Sequence, residues 1–274
     1  MGDSNFPEKA IEGSRALKIT YFQDLYTTYS RRQFTHIEDR PIAIAGLEGR
    51  LRRAYGTDGG QHGIFGEDSS GGMFHRSLLW RRGDGEERLR PIAFSAERRK
   101  GGGVLLPPSW SWMGYEGGID YFDPPFRAVG WETREIRSPW EQKKRTNGLN
   151  GGGGGGGDGG LLPGAVNTRT SVTQQDVTEL EVRVRSFDLE SARGDPDTEI
   201  VYDDPDNLPD GGTGQKCVLI AKHKFAEDYW VLVLGPDKII SEPRDMPVYR
   251  RVGVGKMFGE YIDLGGRGVE ARIR

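Results

Sequence analysis

The chain has one cysteine, little net charge and no long apolar run, and each absence excludes a class of protein. Cys217 alone cannot form an intrachain disulfide or a cysteine-based zinc site, which indicates a reducing compartment such as the cytoplasm. A net charge of −3, from 38 basic and 41 acidic residues, argues against a dedicated nucleic-acid-binding protein. No run approaches the roughly 20 apolar residues that cross a bilayer, and the N-terminus lacks a signal-peptide pattern. We expect a cytoplasmic protein with no nucleic-acid or membrane partner.

Apolar residues are also scarce, because glycine takes much of their place. Hydrophobic residues make up 35% of the chain, whereas glycine contributes 42 of its 274 residues. Residues 138–175 contain the longest glycine run, offer few side chains to bury and are predicted to be disordered. Residues 188–213 carry nine acidic residues and one basic residue, so self-repulsion predicts a second disordered, extended loop. With a flexible stretch at 1–14, these loops leave a single interrupted domain at 15–274.

Helical and strand patterns outside the loops predict an α+β fold. Apolar spacing predicts helices over 15–30 and from Glu38 to about Tyr55, where Gly56 ends the second helix. Strand patterns cover 74–80, 104–115, 118–122, 126–131, 178–187, 217–223, 229–235, 247–254 and 268–273. We therefore expect N-terminal helices packed on a mainly antiparallel β-sheet. Strands on either side of the glycine run should pair, because each half alone has few strands; a two-domain split at 150 is the alternative.

Motifs for catalysis, cofactors and metals are absent from the sequence. The four histidines show no H-E-x-x-H motif or other metal-ligand spacing, so each is expected at the surface or in packing. G-x-S-x-G is absent, and the glycines at 253–259 match neither a Walker motif nor a dinucleotide-binding fingerprint. Cys217 begins an apolar strand and is expected to be a small buried hydrophobe. We predict that the chain is not an enzyme and binds no cofactor and no metal.

The most distinctive local pattern is Pro-Pro-Ser-Trp-Ser-Trp at 107–112. In an extended segment, alternation would place Trp110 and Trp112 on one face and Ser109 and Ser111 on the other. Two indoles on one face can stack on a sugar or a base, but large aromatic side chains more often fill a core. We favour core packing and keep a stand-alone ligand-binding module that uses Trp110 and Trp112 as an alternative.

Several sequence blocks, taken in order, resemble the region that follows the named domain in fungal heterokaryon incompatibility (HET) domain proteins. They begin with Tyr-Ser-Arg at 29–31 and Glu-Asp-Arg at 38–40, continue through Pro-Ser-Trp-Ser-Trp, and end with Tyr-Arg-Arg-Val-Gly-Val-Gly at 249–255. Phe65, where the family often has Trp, and the glycine insertion depart from the pattern. The residues that carry the resemblance, all expected to be structural, are Tyr29, Ser30, Arg31, Asp39, Arg40, Gly46, Leu47, Trp80, Pro108, Ser109, Trp110, Ser111, Trp112, Arg251, Val252 and Gly253.

The HET domain itself is missing from this chain, because neither an A-L-S-Y-x-W-G block nor a W-I-D-x-x-C-I-x-Q block is present. The resemblance therefore implies a non-catalytic C-terminal accessory region of proteins of non-self recognition and programmed cell death. Such a region would act through contact with a HET domain or another protein partner. A truncated relic without retained function is a further alternative. Its physical sign would be bare apolar surface near 17–29, where the missing domain would pack.

Overall fold

The computed structural model describes residues 14–95, 106–141, 177–208, 214–237 and 246–274. The helices within these ranges are α1 (Arg15–Ser30), α2 (Arg40–Tyr55), α3 (Met73–Leu78) and α4 (Leu189–Gly194), with 3₁₀ turns at Ile37–Asp39, Trp112–Gly114, Pro205–Asn207 and Gly259–Tyr261. The strands are β1 (Gly60–Gln61), β2 (Ile64–Phe65), β3 (Trp80–Arg82), β4 (Arg90–Pro91), β5 (Tyr115–Glu116), β6 (Ile119–Tyr121), β7 (Val129–Trp131), β8 (Leu180–Val184), β9 (Glu199–Tyr202), β10 (Lys216–His223), β11 (Asp228–Pro236), β12 (Val248–Phe258) and β13 (Val269–Ile273). This mixture confirms the predicted α+β class. Nearly all of the predicted flexible N-terminus and of the glycine-rich loop lies outside the described residues.

The two long N-terminal helices form where the sequence predicts them. The Ser14 hydroxyl accepts a hydrogen bond from the Leu17 N–H at 3.4 Å and begins α1. Pro41 lies in the first turn of α2, where a missing N–H is tolerated, and Gly56 ends the helix with a left-handed φ of 66°. None of the described helices is long and apolar enough to cross a membrane.

The main sheet has seven strands in the order β7-β10-β11-β12-β13-β8, and β9 also pairs with β12. Its pairs are antiparallel except β12 with β13, which run parallel. The strand β7 precedes the glycine-rich segment and β10 follows it, and Trp131 pairs with Ala221 between them. The predictions of a mainly antiparallel sheet and of strand pairing across the glycine run are therefore confirmed.

Both faces of the main sheet are buried, which explains the continuous apolar runs in β10 and β11. On one face, Val218, Ile220 and Leu232 join the large core that includes α1 and α2. On the other face, Leu219 and Val231 join a second core with side chains from 187–208. Successive side chains of a strand point to opposite faces, so a strand buried on both faces shows no polar alternation.

The prediction of a disordered acidic loop at 188–213 is wrong over its described part, because this segment contains α4 and β9. The Asp188 carboxylate accepts a hydrogen bond from the Ser191 N–H at 3.0 Å and begins α4. Ala192 and Tyr202 are buried, and β9 pairs with β12. A few apolar side chains thus anchor the segment on the second face of the sheet, while most of its carboxylates stay in solvent, which screens their repulsion.

Two further predicted strands are wrong. Residues 74–80 form most of α3 and the first residue of β3, and all six residues of α3 are buried. A short apolar run that is buried on all sides has no helical periodicity, so its pattern cannot be distinguished from that of a strand. The described part of 104–115 is a turn followed by a 3₁₀ helix. The Ser111 hydroxyl caps this helix by accepting a hydrogen bond from the Met113 N–H at 3.2 Å.

Candidate functional site

The first buried group is centred on the motif residue Arg251. It also contains Asp203 and the motif residue Trp80, and we call these three residues the Arg251 cluster. The Arg251 side chain is fully buried. Its Nε lies 3.2 Å from Asp203 Oδ2, and its Nη1 donates to the Leu78 carbonyl at 2.8 Å. Its Nη2 donates to the Trp80 carbonyl, and the guanidinium carbon lies 3.2 Å from the centroid of the Trp80 ring. The cluster therefore joins β12, the residue after β9, and β3.

Burial acts on the two charges of the Arg251 cluster in opposite directions. It lowers the pKa of Arg251 and raises the pKa of Asp203, and each charge counteracts the shift of the other. Removing one partner of such a buried pair leaves the other charge uncompensated, which typically costs about 3–5 kcal/mol. The Arg251 cluster is thus a structural connection whose donors are already occupied.

Arg40 organises the second group, which we call the Arg40 cluster together with Tyr29, Ser30 and Trp112. The Arg40 side chain is 1% exposed, and its Nη2 donates to the carbonyls of Ser30 at 2.9 Å and Gly117 at 3.1 Å. Its guanidinium carbon lies 5.0 Å from the centroid of the Trp112 ring. The Tyr29 hydroxyl donates to the Arg40 carbonyl at 2.7 Å. These contacts hold α1 and α2 against the strands around Gly117.

The Pro-Ser-Trp-Ser-Trp block lies in the core, although it is not extended. Trp110 and Trp112 are both 0% exposed, which confirms the prediction of core packing. The Ser109 hydroxyl accepts a hydrogen bond from the Arg251 N–H at 3.1 Å, and the Ser111 hydroxyl donates to the His62 carbonyl at 2.6 Å. The prediction that both indoles share one face of a strand is wrong, because Trp112 belongs to a 3₁₀ turn.

The remaining polar motif residues lie at the ends of α1 and α2. Arg31 forms a two-pronged ion pair with Asp120, at 2.9 and 3.0 Å, and also donates to the Ile119 carbonyl at 2.7 Å. Asp39 immediately precedes α2, and Leu47 packs half-buried against the large core. Arg31 therefore fixes the C-terminal end of α1 on the strand β6.

The last four motif residues have separate positions. Pro108 is buried, and Val252 is 4% exposed in the second core. A Cβ atom at Gly253 would lie 2.7 Å from the Val201 carbonyl, so the close approach of β12 to β9 requires glycine. Gly46 lies exposed in the middle of α2 with open space around it, and nothing in the structure explains a requirement for glycine there.

A cleft of about 340 Å³ lies away from these clusters, between the loop before α3 and the segment after β7. We call it the α3 cleft, and its lining includes Glu67, His75, Trp131 and Ser138. His75 is 1% exposed, and its Nδ1 lies 2.7 Å from Glu67 Oε1. The other carboxylate oxygen of Glu67 accepts a hydrogen bond from the Met73 N–H at 3.0 Å. The carboxylate therefore fixes the orientation of the imidazole.

Two buried polar atoms of the α3 cleft have no hydrogen-bond partner among the described residues: the Nε2 atom of His75 and the hydroxyl of Ser138. Ser138 is 1% exposed. A buried polar group without a partner costs roughly 1–3 kcal/mol, and each such group in a native structure calls for an explanation.

Sequence reasoning missed the α3 cleft. The prediction that His75 is a packing or surface residue is confirmed by its burial, but the sequence gives no sign that it lines a cleft. Glu67 and His75 are separated by a spacing that matches no motif, and Ser138 comes from a different part of the chain. In the ranges the structure describes, no group of three or more His, Cys, Asp or Glu residues is placed to hold a metal ion.

Comparison with known proteins gives no match to a family model, a curated protein or a solved structure.

Proposed function

We propose that the chain is a non-catalytic accessory module similar to the C-terminal region of fungal HET-domain proteins, and that it acts in non-self recognition through contact with a HET domain. The proposal places it in the cytoplasm. One observation carries it: motif residues that are far apart in the sequence converge in the Arg40 and Arg251 clusters. In both clusters the guanidinium groups bind backbone carbonyls, so the motif holds helices and strands together and leaves few groups for chemistry on a substrate.

The helix α1 also supports a module that folds without a covering domain. Its apolar residues Ile19, Phe22 and Tyr26 are 0% exposed because they pack into the large core of the chain itself. Leu17, at 61% exposure, is the one large hydrophobic residue of α1 that is strongly exposed. The bare apolar surface expected for a truncated relic is therefore confined to a single side chain.

A stand-alone ligand-binding module that uses Trp110 and Trp112 has no support, because neither indole reaches the surface of the described residues. Any ligand would have to displace core side chains to stack on them. Exposed apolar side chains on the two N-terminal helices instead support a role in contact with a partner. They are Leu17 on α1 and Ile42, at 47% exposure, on α2.

Co-expression with a fungal HET domain tests the proposal. The tagged chain is expected to co-purify with the domain and to change the viability of the host cells. Leu17→Asp should reduce co-purification, whereas Phe225→Asp is the matched control, because Phe225 is 82% exposed in the turn between β10 and β11. Both variants replace an exposed hydrophobe and should fold. Absence of both co-purification and a viability effect would overturn the proposal.

A further inference from the structure

We propose that the α3 cleft binds a small neutral polyhydroxylated molecule, of the size and chemistry of a sugar or a cyclic polyol. The inference is independent of the accessory role proposed above. Its volume of about 340 Å³ falls within the range typical of small-molecule sites. Its walls carry hydroxyl groups, carboxylates, one guanidinium and one indole, which together match the hydroxyl edges and the apolar face of such a molecule.

The imidazole of His75 is held in a fixed orientation with one ring nitrogen unpaired among the described residues. Its Nδ1 lies 2.7 Å from Glu67 Oε1, and a neutral ring that donates through Nδ1 leaves Nε2 as the acceptor. This Nε2 is buried and has no partner among the described residues. A ligand hydroxyl would satisfy it, and Glu67 would keep the tautomer in place.

Ser138 adds a second unmet polar group from a different segment. Its hydroxyl is buried without a partner, and the residue lines the same cleft as His75. A hydroxyl both donates and accepts, so it complements a ligand that carries several hydroxyl groups. Two unsatisfied groups in one cleft point to an occupant more strongly than either group does alone.

The charges around the cleft disfavour an ionic ligand. The carboxylates of Glu67, Asp68 and Glu141 line it and would repel an anion. The guanidinium of Arg137 also lines it, but this side chain is exposed to solvent and its Nε donates to the Thr133 carbonyl at 3.0 Å. Arg15 is engaged with Asp68 at 3.3 Å, which removes it as an anion partner. A ligand cation over the indole of Trp131 would meet the guanidinium of Arg76, whose carbon already lies 5.0 Å from the ring centroid. A neutral ligand avoids both repulsions.

The shape of the cleft is set by close packing on one side. Gly72 has a left-handed φ of 90°, and a Cβ atom there would overlap the indole of Trp131. The His75 ring lies 5.6 Å from the Trp131 ring, between centroids. The indole is therefore held in position, as a preformed site requires.

Saturation-transfer NMR of the full chain with D-glucose, D-galactose and myo-inositol tests the proposal. At least one of these polyols should bind saturably. The variant Ser138→Ala should weaken that binding about tenfold, the effect of losing one useful hydrogen bond. Ser186→Ala removes an exposed hydroxyl that does not line the cleft and that accepts a hydrogen bond from Lys216 at 2.8 Å, so it should leave the affinity unchanged. The thermal midpoint of Ser138→Ala without ligand should not fall, because its hydroxyl has no partner to lose.

Several outcomes would overturn the proposal. The first is that none of the three polyols binds saturably. The second is that Ser138→Ala binds a polyol with the same affinity as the native protein. The third is that spermidine or citrate binds and the polyols do not. A lower thermal midpoint for Ser138→Ala without any binding would assign the hydroxyl to an ordered water and not to a ligand. If Ser138→Ala does not fold, Thr133→Val on the exposed rim of the cleft takes its place, with the same weakening expected and unchanged affinity overturning the proposal.

Discussion

Glu48 makes the stability of this protein depend on pH. The residue lies on α2 and is buried, and its Oε1 accepts hydrogen bonds from the Tyr26 hydroxyl at 3.3 Å and from the Gly63 N–H. Burial raises the pKa of Glu48 from its ordinary value to about 7, against the lowering effects of the Gly63 hydrogen bond and the Arg52 charge. The native state therefore holds a proton at pH values where the unfolded chain has lost it.

The magnitude follows from this difference in proton affinity. Each unit of pKa corresponds to about 1.4 kcal/mol, so a rise from 4.5 in the unfolded chain to about 7 in the native state implies roughly 3 kcal/mol. Because the native pKa is the higher one, this stability is fully present below the unfolded pKa and is lost as the pH rises through about 7. As the pH rises from 5 to 8, the ionisation of Glu48 should lower the free energy of unfolding by about 2–3 kcal/mol.

Urea-induced unfolding of the native protein and of Glu48→Gln at pH 5, 6, 7 and 8 measures this effect. The neutral amide does not titrate, so the difference in unfolding free energy between the two proteins should change by about 2–3 kcal/mol over this range, with the variant gaining relative stability at high pH. Contributions from other acids, including Asp68, Glu132 and Asp203, are shared by both proteins and cancel in the difference. Glu181→Gln, on the exposed side of β8, serves as the control. A difference that stays constant across the four pH values would refute the reasoning.

Three further predictions concern packing. Arg251→Met should lower the free energy of unfolding, measured in urea, by about 3–5 kcal/mol, because it leaves the buried carboxylate of Asp203 without its partner. A decrease below about 1 kcal/mol would show that the pair contributes no more than an exposed ion pair does. Gly72→Ala should lower the thermal midpoint more than Gly71→Ala does. Both glycines have a positive φ, but an added Cβ atom would overlap Trp131 only at Gly72. Equal decreases in the thermal midpoint of the two variants would argue against the overlap. Cys217 is fully buried, and burial raises its pKa to about 12, so a thiol reagent such as DTNB should label it in urea and not in the native protein.

The N-terminal helices show which parts of the fold can be predicted from the sequence. The helix α2 has Pro41 in its first turn and Gly56 at its end, and both signals act within one or two turns of the backbone. The hairpin of β10 and β11 was predictable for a similar reason, because two apolar runs flank a short polar turn. By contrast, the sequence pattern of α3 predicts a strand, because all of its side chains are buried and this erases the helical periodicity.

The acidic segment shows where charge composition misleads. Its carboxylates predict an extended loop, but Tyr202 and Ile200 pack into the second core on the main sheet, and Asp203 pairs with Arg251 from a distant strand. The sequence around Asp203 contains no sign of that partner. Local composition cannot report a contact that depends on which strands become neighbours.

By itself, the sequence determined the α+β class, the first two helices, most strands of the main sheet and the burial of Trp110 and Trp112, because these depend on local propensity and on apolar content. Only the tertiary structure decided that Arg40 and Arg251 are buried connectors and that Glu67, His75 and Ser138 line one cleft. Those arrangements bring together residues separated by whole secondary-structure elements. Their partners are set by the topology of the sheet, which no short-range spacing encodes.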